Sequence, residues 1–466
     1  MKRAVLPDLA IVDGEILSFE QPLLEPVRGS LLVHDGRIVR ITRERRPAAR
    51  ETLSAAGKLV MPGLVDAHCH AIHLLMRGLS DGLHYHEWLE RLMYRALPHY
   101  HAADARVAAE LFCAEAIRSG ITTVGDSTDF GNRADLVDAT LSAFRKAGMR
   151  SVYFRNFSDA PPAALRANRE TATAALGDMA ALMDRHAGDP LLTIGPGINE
   201  PHFATVTGFR KAVRLAEQRR VPIMAHVAEV PADATIDGQD IIDWMIGHRL
   251  LSPRLVLAHC VWLKAPAFRH IAAAGAAVTW QPSTNAYLAD GVMPVRMALA
   301  AGVTVGLGTD DTNASDQVDM FNEMRTAALL TKIARRDSTA IRPAELLSIA
   351  TRGGARALGL DSHIGSLAVG KAADVILLDL KTLRPFANLA SALVYQGGRD
   401  AVDSVVIGGQ VVMRERQLLT VDEAALRQKA RKAAEGVIRR SGLNLPALEA
   451  TRAPATCEHL FAPTVR

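Results

Sequence analysis

The sequence predicts an α/β protein, a (β/α)8 TIM-type barrel with a small β-sandwich domain built from both chain ends. Three observations predict it. The chain has 466 residues, enough for a barrel of about 250 residues or more and a second unit. Short apolar runs alternate with helical stretches through the middle of the chain, and both ends carry β-hairpin patterns. We expect residues 1–61 and 365–466 to form the β-sandwich domain with a C-terminal helix, and residues 62–364 to form the barrel.

Turn dipeptides mark strands at the two chain ends. Asp35-Gly36 separates two β-rich runs near the N-terminus, and Gly408-Gly409 separates two others near the C-terminus. Both dipeptides tolerate the positive φ angles that a two-residue hairpin turn requires. Each pair of runs is therefore predicted to be a β-hairpin.

A helix is predicted after the second hairpin. Thr420 and Glu423 have the spacing of a capping box, in which two side chains satisfy free backbone amides at a helix start. We expect the helix to continue to about Arg440 and to end at Gly442.

Eight apolar runs in the middle of the chain predict buried strands. They are short and nearly continuous in apolar character, as expected for strands covered on both faces. Amphipathic stretches such as 107–119 and 209–219 lie between them and predict helices. Eight strands that alternate with helices over about 300 residues favour a (β/α)8 barrel. The runs are 64–67, 121–124, 151–154, 191–194, 221–225, 255–258, 277–280 and 303–307.

Composition excludes several classes of protein. Hydrophobic residues make up 49% and charged residues 22% of the chain, which excludes a mainly disordered or fibrous protein. The net charge is only +4, the basic residues are scattered and aromatic residues make up 5%, so a basic groove with stacking aromatics is not expected. The longest uncharged run contains several polar residues that hydrocarbon would leave unpaired. We therefore expect no nucleic-acid partner and no membrane association.

The cysteines and the N-terminus indicate a compartment. The four cysteines, Cys69, Cys113, Cys260 and Cys457, form no C-x-x-C pair, which favours free thiols in a reducing environment. The apolar stretch that follows Met1 is too short for a signal peptide. We expect a cytoplasmic protein.

Polar side chains at the ends of the predicted barrel strands carry the candidate chemistry. His68 and His70 end the first strand, and residues two apart in a strand point to the same side. His226 ends the fifth strand, His259 the sixth and Asp310 the eighth. These strand ends meet at the rim where barrel enzymes have their active sites. Three imidazoles and one carboxylate suit Zn²⁺ or Fe²⁺, whereas a single strand-end histidine is more often structural and Asp310 alone could cap a helix.

Other polar residues are predicted to lie near this rim. Glu229 follows His226 by three residues in the loop that leaves the fifth strand. Near a metal site such a carboxylate can carry protons between water and substrate, although a loop glutamate is usually only solvated. His73, His84 and His86 follow the first strand closely and are candidates for lining a pocket.

Together these segments resemble the amidohydrolase superfamily over nearly the whole chain. The closest likeness is to its aminohydrolase and chlorohydrolase branch, which includes the melamine deaminases and atrazine chlorohydrolases. The superfamily likeness rests on PGLVDAHCH (62–70), AHVAE (225–229), LAHC (257–260) and GTD (308–310). The branch likeness rests on FCAEAIRSGITT (112–123), NAYLADGVMPV (285–295) and DDTNASD (310–316).

The resemblance implies a metal-dependent hydrolase with one divalent ion per chain, Zn or Fe. The implied metal ligands are His68, His70, His226 and Asp310. The implied catalytic residues are Glu229, His259 and Asp310. The candidate substrate contacts are His73, Asn285, Asp311 and His202.

The leading hypothesis is hydrolytic deamination of an aminated nitrogen heterocycle of the triazine, pyrimidine or purine type, with release of ammonia. His259 and Asp310 would orient and deprotonate a water, and Glu229 would protonate a ring nitrogen. Stretches 83–86 and 199–202 depart from the triazine members, which leaves the heterocycle open. The alternatives are dechlorination or cyclic-amide hydrolysis at the same site, and a non-catalytic barrel homologue. We expect a small-molecule heterocyclic substrate and a homodimer or higher homo-oligomer.

Overall fold

The structure, a computed structural model, describes residues 6–20, 25–162, 166 and 169–443. Cys457 and its predicted free thiol lie outside this range, whereas Cys69, Cys113 and Cys260 are buried free cysteines as expected. The N-terminal strands are β1 (Leu9–Ile16), β2 (Val27–His34), β3 (Arg37–Thr42), β4 (Glu51–Ser54) and β5 (Lys58–Pro62).

Eight parallel strands form the predicted barrel. All of them lie in the middle of the chain, and a separate two-stranded hairpin, β11 and β12, follows the fifth. The strands from here to the end of the barrel are β6 (Leu64–Cys69), β7 (Ile121–Thr128), β8 (Arg150–Phe157), β9 (Leu192–Ile198), β10 (Ile223–Val227), β11 (Thr235–Ile236), β12 (Gln239–Asp240), β13 (Leu255–His259), β14 (Ala277–Trp280) and β15 (Thr304–Leu307).

The barrel closes between its first and last strands. The amide of Asp310 donates to the carbonyl of His68 at 2.9 Å, and Cys69 forms a parallel bridge with Asp310. The chain can approach this closely because residue 308 is glycine, where an added Cβ would lie 2.4 Å from the His68 carbonyl oxygen. The closure therefore brings the end of β6 against the segment that follows β15.

The remaining strands lie near the C-terminus and pair with the N-terminal ones. They are β16 (Val375–Asp379), β17 (Val402–Ile407), β18 (Gln410–Arg414) and β19 (Gln417–Leu418). One mixed sheet has the order β19-β18-β17-β16-β5-β1-β2-β3, with β4 beside β1. The chain ends meet where β16 runs antiparallel to β5. The predicted barrel with a second unit built from both chain ends is confirmed.

Both predicted hairpins occur in this sheet. His34 pairs with Arg37 across Asp35-Gly36, and Ile407 pairs with Gln410 across Gly408-Gly409. All four turn residues have positive φ angles, between 48° and 80°. The turn dipeptides were therefore correct indicators of these hairpins.

The helices surround the barrel and cover its rim. They are α1 (Tyr85–Trp88), α2 (Tyr94–Ala96), α3 (Ala102–Arg118), α4 (Ala134–Ala147), α5 (Ala172–Arg185), α6 (Val206–Arg219), α7 (Ile241–Gly247), α8 (Ala265–Ala274), α9 (Pro282–Tyr287), α10 (Val295–Ala300), α11 (Met320–Arg335), α12 (Pro343–Ser348), α13 (Gly354–Ala357), α14 (Leu389–Tyr395) and α15 (Glu423–Ser441). Shorter 3₁₀ turns span Ala71–Met76, Leu97–His99, Pro201–Phe203, Pro231–Ala234 and Arg399–Ala401, and π turns span Leu89–Met93 and Ile349–Gly353.

The C-terminal helix differs from its prediction at its start. Asp422, not Thr420, caps α15, and its side chain accepts from the Ala425 amide at 3.1 Å. The Thr420 hydroxyl instead donates to the carbonyl of Ala147 in the barrel. The helix ends at Gly442 as predicted. Within the part of the chain that the structure describes, no helix combines the length and apolar character needed to span a bilayer.

Candidate active site

Four of the predicted residues meet at the carboxyl-terminal rim of the barrel. His68 Nε2 lies 3.1 Å from Asp310 Oδ1, and His70 Nε2 lies 3.6 Å from the same oxygen. His226 Nε2 lies 3.3 Å from His70 Nε2. His68, His70 and Asp310 are buried and His226 is half-buried. One nitrogen atom from each of His68, His70 and His226 lies within 4.8 Å of the other two. A second group with the same spacing consists of His68, His259 and Asp310.

The chemistry of this cluster fits a divalent ion. His68 Nε2 and both Asp310 carboxylate oxygens are buried and have no hydrogen-bond partner among the described residues. Buried polar atoms are normally paired, so these atoms lack a partner that a cation would provide. The Nδ1 atom of His226 donates to the Asn199 carbonyl at 2.6 Å, which leaves its Nε2 lone pair directed at the cluster. Imidazole and carboxylate donors suit Zn²⁺ or Fe²⁺.

His259 lies beside the cluster and contacts Glu229. Its Nε2 atom is 3.3 Å from Glu229 Oε2 and 4.0 Å from Asp310 Oδ2. Its Nδ1 atom is 3.2 Å from Asn285 Nδ2, which is also 3.3 Å from Asp290 Oδ2. Asn285, predicted at the substrate, thus lies behind His259 and orients that ring.

The backbone at two of these residues adopts a conformation that is rare for non-glycine side chains. His259 has a φ angle of 70° and Asp310 one of 57°. Such left-handed conformations cost about 1–3 kcal/mol each and persist where the surrounding structure enforces them. Here they occur directly at or after the ends of β13 and β15, and they mark the rim as the strained part of the barrel.

His73 joins two carboxylates that the cavity exposes. Its Nε2 atom is 2.9 Å from Asp129 Oδ2, and its Nδ1 atom contacts Asp311 Oδ1. Burial lowers the pKa of His73, but the charge of Asp311 and hydrogen bonds to both carboxylates raise it to about 10. The sequence analysis missed Asp129, although it directly follows β7 just as His70 directly follows β6.

Asp66 holds Asp310 in place and was also missed. Its two carboxylate oxygens accept from the Thr309 amide at 2.9 Å and the Thr309 hydroxyl at 2.5 Å. Burial raises the pKa of Asp66 to about 7. A charged residue within an otherwise apolar strand is unusual, and this local signal could have identified it.

A cavity opens over the cluster. His202 is not among its lining residues, since its Nε2 atom lies 2.9 Å from the Thr235 carbonyl. His84 and His86 are exposed and do not line it either. The apolar and aromatic lining residues are Tyr85, Trp88, Leu89, Met93, Tyr94, Leu97, Phe130 and Phe203. The other lining residues are His70, Asp129, Asn199, Glu200, His226, Glu229, His259 and Asp311.

Burial changes the protonation of the carboxyl groups around this cavity. It raises the pKa of Glu229 well above its usual range, with further contributions from the charges of Asp290 and Asp310. It raises the pKa of Glu200 to about 8 and that of Asp311 to about 6. Burial therefore favours the protonated form of Glu229, the form in which a carboxyl group can donate a proton.

Comparison with known sequences identifies the family and relatives of this chain. The sequence profile of the Amidohydrolase family matches residues 59–412. The chain is 32% identical to 5'-deoxyadenosine deaminase of Methanothermobacter thermautotrophicus, over 87% of this chain and 94% of that protein. It is 33% identical to 5-methylthioadenosine/S-adenosylhomocysteine deaminase of Syntrophobacter fumaroxidans, over 91% of this chain and 97% of that protein.

Two solved structures are similar to this chain in fold. An adenosine deaminase from Xanthomonas campestris with bound zinc superposes with a TM-score of 0.85 and 29% identity, over 93% of this chain and 99% of that chain. A zinc complex of atrazine chlorohydrolase from Arthrobacter aurescens TC1 has a TM-score of 0.83 and 22% identity, over 91% of this chain and 100% of that chain. At that lower identity the second likeness shows the fold alone. The predicted resemblance is confirmed.

Proposed function

The chain belongs to the amidohydrolase family, and from this premise we propose that it is a metal-dependent deaminase of purine-type nucleosides. It is a hydrolase of carbon–nitrogen bonds other than peptide bonds, as its deaminase relatives are. The observation that carries the proposal is the meeting of His68, His70, His226 and Asp310 beneath a cavity that also exposes the Glu229–His259 pair.

The proposed metal ligands are His68, His70, His226 and Asp310, and Zn²⁺ is the ion that we propose. When bound, the ion would lower the pKa of a water towards 7 and so supply a nucleophile near neutral pH. The pairing of Nδ1 of His226 with the Asn199 carbonyl fixes that ring with Nε2 facing the site. The Asp66–Thr309 bonds fix the segment that carries Asp310.

The chain's own residues are proposed to move two protons. Asp310 accepts a proton from the attacking water, whose position His259 fixes by hydrogen bonding. Glu229, whose protonated form burial favours, donates to the ring nitrogen next to the reacting carbon, so that the attack gives no ring anion. Asp310 then passes the proton that it took from water to the amino group, which leaves as ammonia, and the ring nitrogen returns its proton to Glu229. The balanced reaction replaces a ring C–NH₂ group with C–OH, consuming one water and releasing one ammonia.

Purine nucleosides are the proposed substrate class for two reasons. The relatives of at least 30% identity named above are deaminases of 5'-substituted adenosines by name. The cavity has an aromatic and apolar wall, as expected for a site that takes a flat ring. Asp311 and Asp129, held together by His73, provide acceptors for the departing amine.

A screen for ammonia release tests the proposal. The zinc-loaded protein is assayed with adenosine, 5'-deoxyadenosine, 5'-methylthioadenosine, adenine, an aminopyrimidine and melamine. We expect the adenosine-type nucleosides to have the highest kcat/KM. Faster release from melamine or from the aminopyrimidine, or no release from any purine, would contradict the proposal.

A further inference from the structure

A buried tyrosine–glutamate pair lies in the wall of the cavity. The Tyr85 hydroxyl donates to Glu200 Oε1 at 2.8 Å. Tyr85 begins α1, after β6, and Glu200 follows β9, so the bond joins the loops of two strands that are not neighbours in the barrel. Both residues line the cavity, and they are 7% and 9% exposed.

The surroundings of this pair are partly apolar and partly polar. Trp88, Leu89 and Leu97 belong to the same cavity wall, and one side-chain donor atom each of His202 and Asp233 lies within 4.8 Å of a Glu200 carboxylate oxygen. Burial of a carboxyl group in such surroundings is unfavourable unless hydrogen bonds compensate. Tyr85 supplies one donor, and a carboxyl group has room for further donors on its two oxygens. A substrate with hydroxyl groups would supply those donors.

This inference rests on the proposed deaminase function. We propose that Glu200, oriented by Tyr85, is a specificity-determining residue that accepts hydrogen bonds from the paired hydroxyl groups of the substrate's ribose. Tyr85 acts as a positioning residue, since it fixes Oε1 and thereby the direction in which Oε2 faces. The pair would then recognise the sugar while the histidine cluster acts on the base.

A cycle of protein variants and substrates tests this role. Glu200→Gln keeps the shape and the bond from Tyr85 but replaces one acceptor oxygen with an amide donor. Tyr85→Phe removes the positioning hydroxyl, and Glu87→Gln, at an exposed residue of the same short helix, is the matched control. The zinc-loaded proteins are compared on adenosine and 2',3'-dideoxyadenosine at pH 9, above the pKa of about 8 that burial gives Glu200.

A hydrogen bond to a charged group contributes about 1.5–3 kcal/mol, so Glu200→Gln should lower kcat/KM for adenosine by about 10- to 100-fold, mainly through KM. The same variant should lower kcat/KM for 2',3'-dideoxyadenosine by less than about 3-fold, because that substrate lacks the paired hydroxyls. Tyr85→Phe should give a smaller loss in the same direction, and Glu87→Gln should give none.

Two results would overturn the inference, and they can be told apart. Equal losses on both nucleosides, or no loss on either, would show that Glu200 does not contact the hydroxyl groups even though the protein deaminates purine nucleosides. Failure of the unmodified protein to release ammonia from either nucleoside would overturn the proposed function and this inference with it. Zinc content and melting temperature, measured on each variant, show whether a loss comes instead from damage to the fold.

Discussion

The amide of Asp310 donates to the carbonyl of His68 at 2.9 Å, and this bond closes the barrel at the residues that are predicted to bind the metal. Three of the four proposed ligands, His68, His70 and Asp310, therefore come from the seam between the first and last strands. The backbones are closely packed at this seam, because a Cβ added at Gly308 would lie 2.4 Å from the His68 carbonyl oxygen. The positions of these ligands consequently depend on the closure of the whole barrel.

Substitution of Glu229 should separate proton transfer from metal binding. Glu229→Gln keeps the side-chain shape but removes the proton that we assign to the ring nitrogen. We expect turnover to fall by about 10²- to 10⁴-fold while the metal content stays unchanged. Steady-state kinetics and elemental analysis of the same preparation measure both. Near-normal turnover of Glu229→Gln would remove this residue from the mechanism.

Asp311 should favour an amine over chloride as the leaving group. An ionised carboxylate accepts hydrogen bonds from a departing ammonium group and repels a departing chloride. The experiment compares ammonia and chloride release from matched amino- and chloro-substituted rings, for the unmodified protein and for Asp311→Asn. We expect ammonia release to be faster and the ratio to fall in the variant. An unchanged ratio would show that Asp311 has another role, such as holding His73.

Nucleotides should be poor substrates. No lysine or arginine is among the described residues that line the cavity, whereas Asp129 and Asp311 provide two carboxylates there. A phosphate group would lose its hydration in this cavity without gaining a cationic side chain, so we expect kcat/KM for adenosine 5'-monophosphate to be at least about 100-fold below that for 5'-deoxyadenosine. Comparable rates for the two would indicate a cationic group at the entrance.

A buried carboxyl group far from the cavity should make stability depend on pH. Burial raises the pKa of Glu323 from 4.5 to about 8, although the Ser283 amide donates to its Oε2 at 3.0 Å. The folded protein therefore binds this proton more tightly than the unfolded chain does, and the stabilisation present below pH 4.5 is lost as the pH rises through 8.

Glu323→Gln removes this titration. We expect the free energy of unfolding of the unmodified protein to fall by a few kcal/mol relative to Glu323→Gln between pH 4.5 and 8. Urea denaturation at a series of pH values measures the difference, and Glu87→Gln, at an exposed position, should show no such trend. A constant difference between Glu323→Gln and the unmodified protein would contradict the assignment.

The sequence predicts the barrel and the strand-end residues because both depend on local patterns. Buried parallel strands are apolar throughout, and a polar residue at their carboxyl ends has to lie at the common rim. His68, His226 and His259 could therefore be placed from their positions after apolar runs. The turn dipeptides of the end sheet are equally local, because they specify positive φ angles without reference to the rest of the fold.

Other parts of the site depend on packing that no local pattern encodes. Asn285 follows a predicted strand, yet α9 directs it to His259 and Asp290 rather than to the cavity. Asp129 directly follows β7, but its contact with His73 depends on the pairing of β7 with β6, which brings together residues that are distant in sequence. His202 was expected at the substrate, but the turn after β9 directs it to Thr235.

Removal and replacement of the metal test the central claim most directly. A chelator is used to strip the purified protein, zinc is then titrated back, and ammonia release from 5'-deoxyadenosine is followed. We predict that activity is lost on stripping and is fully restored at one zinc per chain. His226→Ala should neither bind the ion tightly nor regain activity. His270→Ala, at an exposed position of α8 that does not line the cavity, should behave like the unmodified protein. Full activity of the stripped protein, or a requirement for two ions per chain, would contradict the account.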